Sequence, residues 1–518
     1  MTKANSLSQR SEYSFPTGLA LIIVVVLILS SILFFPSALS SPSSYTANTV
    51  ILSLILLILG GGLAVYFLRQ PSVDLFEIAL PLTALFALHY PLRALFIVGW
   101  PKLAILPLNW PISSDYYIFQ GLVISLIGLL FFYLGYLWKW KDKLCRVLPT
   151  ISFREGVEKG FLTKTGIIYL VGIWAVIMLF RYGVAMRFVW DSVLIRRAVV
   201  SLLHFLEDLR YVGLFLAWGA WKRGLIHKLL VLAFLVVNLL LGVVTGSKND
   251  VFVSILAVLF AFHYILEIPT KKLVWATVVL VAIFLGIFFP LVQSYRRSYL
   301  EVVGYEFAPT VDDIVETVTF LDVKDSGNVL SAILNRAIWL NSIVMIRRWV
   351  PEYIDYQRGA TFYPLLIGWI PRAIWPGKPI LSQGSFMHNK IIGSQTTSNV
   401  GFSAIGEFYL NFGMLGVIVG MFGLGIFVRI VYLYTQRFSP VAVYRALLYF
   451  LWFPGLLLSL QSDLATAILG LVRAFFLALI VTAFLSLGSH SRGTHLLRGA
   501  QKSCVSTADP RATRAHDL

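Results

Sequence analysis

The residues of this chain best suited to chemistry are its arginines, which fall into groups. Ser294, Tyr295, Arg296 and Arg297 close an apolar run. Two adjacent guanidiniums there either cap a helix C-terminus, where the dipole favours cations, or grip phosphate oxygens bidentately, and a neighbouring pair suits a pyrophosphate. In Ile370–Pro379, preceded by Trp369, prolines fix an extended backbone around Arg372 and Lys378. Trp369 and Trp375 either stack on sugar rings or anchor at the headgroup level. In Gly401–Gly413, Glu407 lies several residues inside an apolar run, with Asn411 four residues on and so on the same helical face, and Tyr409 between them. An acid at that depth is costly, so it serves either proton transfer or a charge pair joining two helices. His388 is a rival base or a solvated loop histidine. Lys248, in Thr245–Asp250, sits in a tight turn without the Gly-x-x-x-x-Gly-Lys spacing of a nucleotide loop. His89 and Arg93, one turn apart, either share a cavity or snorkel. Arg473, about ten residues into the last apolar run, should face the bundle and have a partner.

The elements that must position these groups are membrane helices. Of 518 residues 58% are apolar and 13% charged, too apolar a surface for water. Twelve stretches approach the roughly 20 residues that cross a bilayer core: 18–35, 49–68, 74–92, 117–138, 163–180, 209–221, 228–245, 251–267, 273–293, 403–428, 446–462 and 464–487, the sixth being the least marked. The first is read as an uncleaved helix despite small residues at Ser37–Ser40.

The net charge of +17 follows largely from orientation rather than from a nucleic-acid surface. With the N-terminus inside, Lys139, Lys141, Lys143, Arg146, Arg154, Lys159, Lys164, Lys222, Arg223, Lys271, Lys272, Arg429, Arg437, Arg445 and the basic tail are cytoplasmic, while the loop Pro36–Asn48 has no charge. Cys145 and Cys504 then lie inside as thiols, so no disulfide framework is implied. The chain divides into nine spans over 1–293, a long outer loop over 294–402, three spans over 403–487 and a basic tail over 488–518. Arginines nevertheless gather outside, in 181–210 (Arg196, Arg197, Arg210) and in the long loop (Arg296, Arg297, Arg336, Arg372), against the usual bias, which points to an anionic ligand at that face. The long loop should be partly folded, with Asp312–Phe320 and Gly327–Arg348 as helices lying at the surface and Phe362–Pro379 interfacial.

No Walker A sequence, Asp-x-Asp metal motif, His-Glu-x-x-His or zinc cysteine set occurs. An outer site lacks nucleotide sugars, so glycosyl chemistry there needs a donor that already carries its leaving group. The Thr-Gly-Ser-Lys turn at Thr245–Lys248, Pro371-Arg372-x-x-Trp375-Pro376-x-Lys378-Pro379 and Gly406-Glu407-x-Tyr409-x-Asn411-Phe412-Gly413 resemble bacterial Wzy-type oligosaccharide repeat-unit polymerases, over about 160–440. The resemblance implies a GT-C-like, all-α polytopic enzyme of the bacterial inner membrane with both termini cytoplasmic and its active site periplasmic. It would polymerise undecaprenyl-pyrophosphate-linked units without metal or cofactor. Its partners would be lipid-linked oligosaccharides, membrane lipids, a chain-length regulator and a flippase. The roles it implies are Arg296, Arg297 and Arg372 on the pyrophosphate, with Arg336, Arg196, Arg197, Arg210 and Lys248 as further cations. Glu407 or His388 would be the base, and Trp375, Trp369, Tyr409 and Asn411 would meet the sugars. An O-antigen ligase acting on a lipid A core shares donor and topology; a transporter would instead need charges along a midplane path.

Overall fold

Helical periodicity dominates this sequence because long apolar runs in lipid must satisfy every backbone polar group internally. The computed structural model describes residues 42–68, 74–104, 114–138, 145, 147–148, 158–189, 202–295, 334–335, 337–368, 370, 375, 402–439, 441–458 and 463–487, and among these there is no strand. The helices are α1 (Pro42–Leu68), α2 (Ala79–Gly99), α3 (Ser114–Tyr136), α4 (Glu158–Val189), α5 (Leu209–Lys222), α6 (Lys228–Val244), α7 (Lys248–Ile265), α8 (Thr270–Val292), α9 (Trp339–Trp349), α10 (Tyr363–Ile367), α11 (Ser403–Arg437), α12 (Ala442–Leu458) and α13 (Leu464–Ser486). Eight of the described helices are long and apolar enough to cross a membrane, and α6 and α12 are shorter apolar helices. The chain is thus an all-α polytopic membrane protein.

Lipid-facing and bundle-facing helices differ in which side chains they cover. α8 is peripheral and presents Trp275 and Ile287, and α1 presents Ile58. α5, the least marked apolar run in the sequence, is the most enclosed: every residue from Leu209 to Ala220 is buried. Its 14 residues rise about 21 Å, and the helical residues 202–207 precede it across Asp208, whose φ −62 and ψ −21 stay in the right-handed helical region.

α3 and α11, which breaks at Gly413, are in close contact. Gly128 meets Ile405, and at the far end a Cβ on Gly135 would strike the Phe422 carbonyl and one on Gly425 the Phe132 carbonyl. Small residues let the two backbones touch where lipid supplies no driving force of its own. The ends at Ser114 and Leu464 are taken here as the upper face and those at Tyr136, Arg437 and Ser486 as the lower; Ser403 lies deeper, since Ile405 meets Gly128, about 21 Å along α3 from Ser114, and α11 breaks at Gly413.

α9 departs from expectation. Within the stretch read as a surface helix, Trp339 to Ile346 are all buried, and Leu340, Ile343 and Val344 pack on Gly121 of α3 while Ile346 packs on Gly406 of α11. The reason is its partners: α3 and α11 offer glycines at the matching level, so α9 enters the bundle and only Arg347 and Arg348 reach outward, towards Glu352. α9 is held by α2, where Pro91 opens a π-turn over Leu88–Leu92. Below the turn's end His89 stacks on Trp339 at 3.8 Å, and the fully buried Arg93 donates to Asn341 Oδ1 at 3.1 Å, Asn335 Oδ1 at 2.9 Å and the Leu334 carbonyl at 3.0 Å. His89 and Arg93 therefore anchor the long loop rather than snorkel.

Candidate functional site

Three polar groupings stand out in the bundle, one at the upper ends, one partway down and one at the lower ends. At the top, Glu407 is fully buried and both its oxygens accept hydrogen bonds, Oε1 from Thr361 Oγ1 at 2.7 Å and Oε2 from the Leu464 amide at 2.9 Å. Asn411 shares its face, as the spacing of four requires. Its Nδ2 donates to Thr361 Oγ1 at 2.7 Å and to the Glu407 carbonyl at 2.8 Å, and its Oδ1 accepts from the Gly359 amide at 2.8 Å. Directly beyond, Gly413 takes φ 63 and ψ −149, a glycine conformation that breaks α11, and a Cβ there would stand 2.9 Å from Tyr356 Oη. Tyr409 is buried with its ring 6.5 Å from that of Tyr356. Glu407 and Asn411 thus clip the 359–361 segment of the long loop to α11 and to the N-terminus of α13, where the dipole favours a carboxylate.

Partway down, Arg210 is also buried, its Nη2 donating to Tyr211 Oη at 2.6 Å and pairing with Asp250 at the start of α7. Its Nε and Nη1 have no hydrogen-bond partner among the described residues. Ser247 caps α7 through the Asp250 amide, and the Lys248 ammonium lies 4.0 Å over the Phe289 ring. Arg210 is therefore a tie between α5 and the start of α7. Trp375 is half-buried outside any regular element. Arg296, Arg297, Arg372, Arg336, Arg196, Arg197, Trp369 and His388 lie outside the described residues.

Beside Arg210 is a charged cluster that sequence reasoning only half found. Arg473 meets its required partner: Nη2 donates to Asp208 Oδ2 at 2.6 Å and also to the His204 carbonyl. In the same helical turn His204 Nδ1 lies 2.9 Å from Glu207 Oε1. Nine residues below Leu464, Arg473 sits about 13 Å beneath the upper end of α13. Yet its side chain is 41% exposed and that of Asp208 36%. An arginine at such depth costs roughly 2.5 to 3.5 kcal/mol against hydrocarbon, which the pairing with Asp208 offsets. Gly368, at the end of α10, packs on Leu469, one turn above Arg473 on the same face of α13. Asp208, Glu207 and His204 lie within the basic 181–210 segment, where the arginines dominate the charge pattern; their own signal is three titratable residues within five positions.

At the lower ends Glu77 accepts from Tyr136 Oη at 2.9 Å and pairs with Arg429. Asp74 accepts from Tyr264 Oη and Tyr432 Oη, each at 2.8 Å, and lies 3.0 Å from His263 Nε2. Arg429, read from sequence as a cytoplasmic loop charge, is instead 2% exposed inside α11, which continues past residue 428 to Arg437. Burial would raise the Asp74 carboxyl, but His263 and the two tyrosine hydroxyls outweigh it and hold the group below its ordinary value.

With this geometry in view, the comparison with known families is decisive on one point: residues 164–452, more than half of the chain, match the model of the domain of unknown function DUF8712. The chain belongs to the DUF8712 family. The matched region runs from the start of α4 to the middle of α12 and includes the clip at Glu407, Arg210 and the His204–Asp208 segment, while Arg473 lies beyond it. No curated protein and no solved structure matches the chain significantly.

Proposed function

We propose that this chain is a Wzy-type polymerase, a GT-C-like enzyme of about twelve spans at the periplasmic face of the bacterial inner membrane, with the upper face periplasmic and both termini cytoplasmic. A glycan on undecaprenyl pyrophosphate is the donor, a hydroxyl of the next lipid-linked unit attacks its anomeric carbon, and the pyrophosphate leaves. The observation that supports this reading is the partly exposed charged cluster of Arg473, Asp208, Glu207 and His204, about 13 Å beneath the upper end of α13. Ionisable side chains are exposed there inside the upper half of a membrane bundle, where a headgroup that stays attached to its lipid can reach them. A departing diphosphate is already a stable anion, so arginines of the outer loops suffice to receive it.

Purified protein reconstituted with a lipid-linked repeat unit should build a ladder without nucleotide or added divalent metal. Transfer of a finished chain to a lipid A core, with no ladder, would favour the ligase reading; substrate crossing the vesicle with no new linkage would favour transport.

A further inference from the structure

If the polymerase reading holds, the attacking hydroxyl must lose a proton, and Glu407 is poorly placed to take it because both its oxygens are occupied. We propose that the cluster of His204, Glu207, Asp208 and Arg473 is the subsite for the acceptor sugar, with His204 as its base and Glu207 as the positioning residue that orients it. This assignment rests on the polymerase reading.

The geometry favours it in three ways. His204 Nδ1 faces Glu207 Oε1 at 2.9 Å, so a proton on Nδ1 is donated to the carboxylate and the lone pair is left on Nε2. The imidazole is 53% exposed, and Nε2 makes no hydrogen bond to the described residues. Arg473, from α13, bonds the His204 carbonyl and Asp208 through Nη2 and lies with its guanidinium carbon 5.8 Å over the Phe205 ring, which fixes the backbone of the base. The groups facing the imidazole are Glu207 and Asp208 on its own segment and Arg473 across from it. Counting Arg210 and Asp250 behind them, two guanidiniums meet three carboxylates. That balance suits sugar hydroxyls, which donate to carboxylates, and not a diphosphate.

In the step proposed, the acceptor oxygen bonds to the anomeric carbon, and the bond from that carbon to the diphosphate oxygen breaks with its electron pair leaving on the diphosphate. The hydroxyl proton passes to His204 Nε2. Glu207 offsets the imidazolium charge until the proton is lost to water. The Glu207 hydrogen bond holds the imidazole above its ordinary value, against burial and Arg473, which lower it.

The test is chain extension by reconstituted full-length protein across pH. The base must be neutral to act, so the wild-type rate should fall as pH drops through a group above 6.5. His204→Gln should lower kcat by about 10²- to 10⁴-fold, leave KM for the lipid-linked unit within a few-fold and abolish that acid limb. Glu207→Gln, which weakens the bond that raises the imidazole, should move the limb to lower pH. If His204→Gln does not fold, the Glu207→Gln shift decides. A wild-type ladder with His204→Gln at full rate, or with the limb unmoved in Glu207→Gln, overturns the assignment and leaves the polymerase reading standing; a wild-type protein that builds no ladder overturns both.

Discussion

Replacing Glu407 by glutamine and by alanine separates a structural clip from a catalytic base. In Glu407→Ala the Thr361 hydroxyl and the Leu464 amide both lose their acceptor. A hydrogen bond to a charged group is worth about 1.5 to 3 kcal/mol, and a buried orphaned donor costs about 1 to 3 kcal/mol. Thr361 keeps Asn411 as a partner, so the total loss should be about 2 to 5 kcal/mol. Glutamine retains the shape: its oxygen can accept from Leu464, and its amide can donate to Thr361 Oγ1, which has a second lone pair. What remains is the missing charge at the α13 N-terminus, about 0.3 to 1 kcal/mol and at most ~2. Equilibrium unfolding in mixed micelles, followed by tryptophan fluorescence, measures both losses, and chain extension measures activity. Glu407→Gln should keep its rate within a few-fold and its pH profile unchanged. A glutamine variant as stable as wild type yet slowed by 10²-fold or more would show that Glu407 is the base and that the clip argument is wrong.

The lower grouping offers a double-mutant cycle. Arg429→Met removes the guanidinium that pairs with Glu77 and should cost about 3 to 5 kcal/mol, whereas Glu77→Gln with Arg429→Met should recover most of it, since the carboxylate charge is removed with its partner; additive losses in the same unfolding assay would contradict the pairing. Gly413→Ala forces a Cβ into a glycine-only backbone region and against Tyr356, so unfolding should show a loss of at least about 1 to 3 kcal/mol. Arg297→Ala or Arg372→Ala should abolish long chains in cells while single units persist on lipid at unchanged protein levels, and lysine at either position should rescue poorly because it cannot form the bidentate grip. Normal chain-length ladders in these variants would remove both arginines from the diphosphate site.

Where local spacing decides, the sequence was readable. Runs of apolar residues gave the helices because each run satisfies its own backbone, and a step of four put Asn411 beside Glu407 whatever the rest of the chain did. The partner required by Arg473 was also foreseeable, since depth along an apolar run can be counted; that the partner is Asp208 could not be, because the two residues lie 265 positions apart.

Apolarity and helical period are properties of neighbours in the chain, and they determined that this is a helical membrane protein with acids and arginines set into its spans. Whether a given charge faces water or another helix depends on which distant segments pack together. Only the tertiary structure buried Arg429 against Glu77, 352 positions away, drew α9 from the surface in between α3 and α11, and made α5 central. Charge composition is identical for a solvated arginine and a buried one; the difference is the partner, and lipid makes an absent partner costly enough to decide the fold.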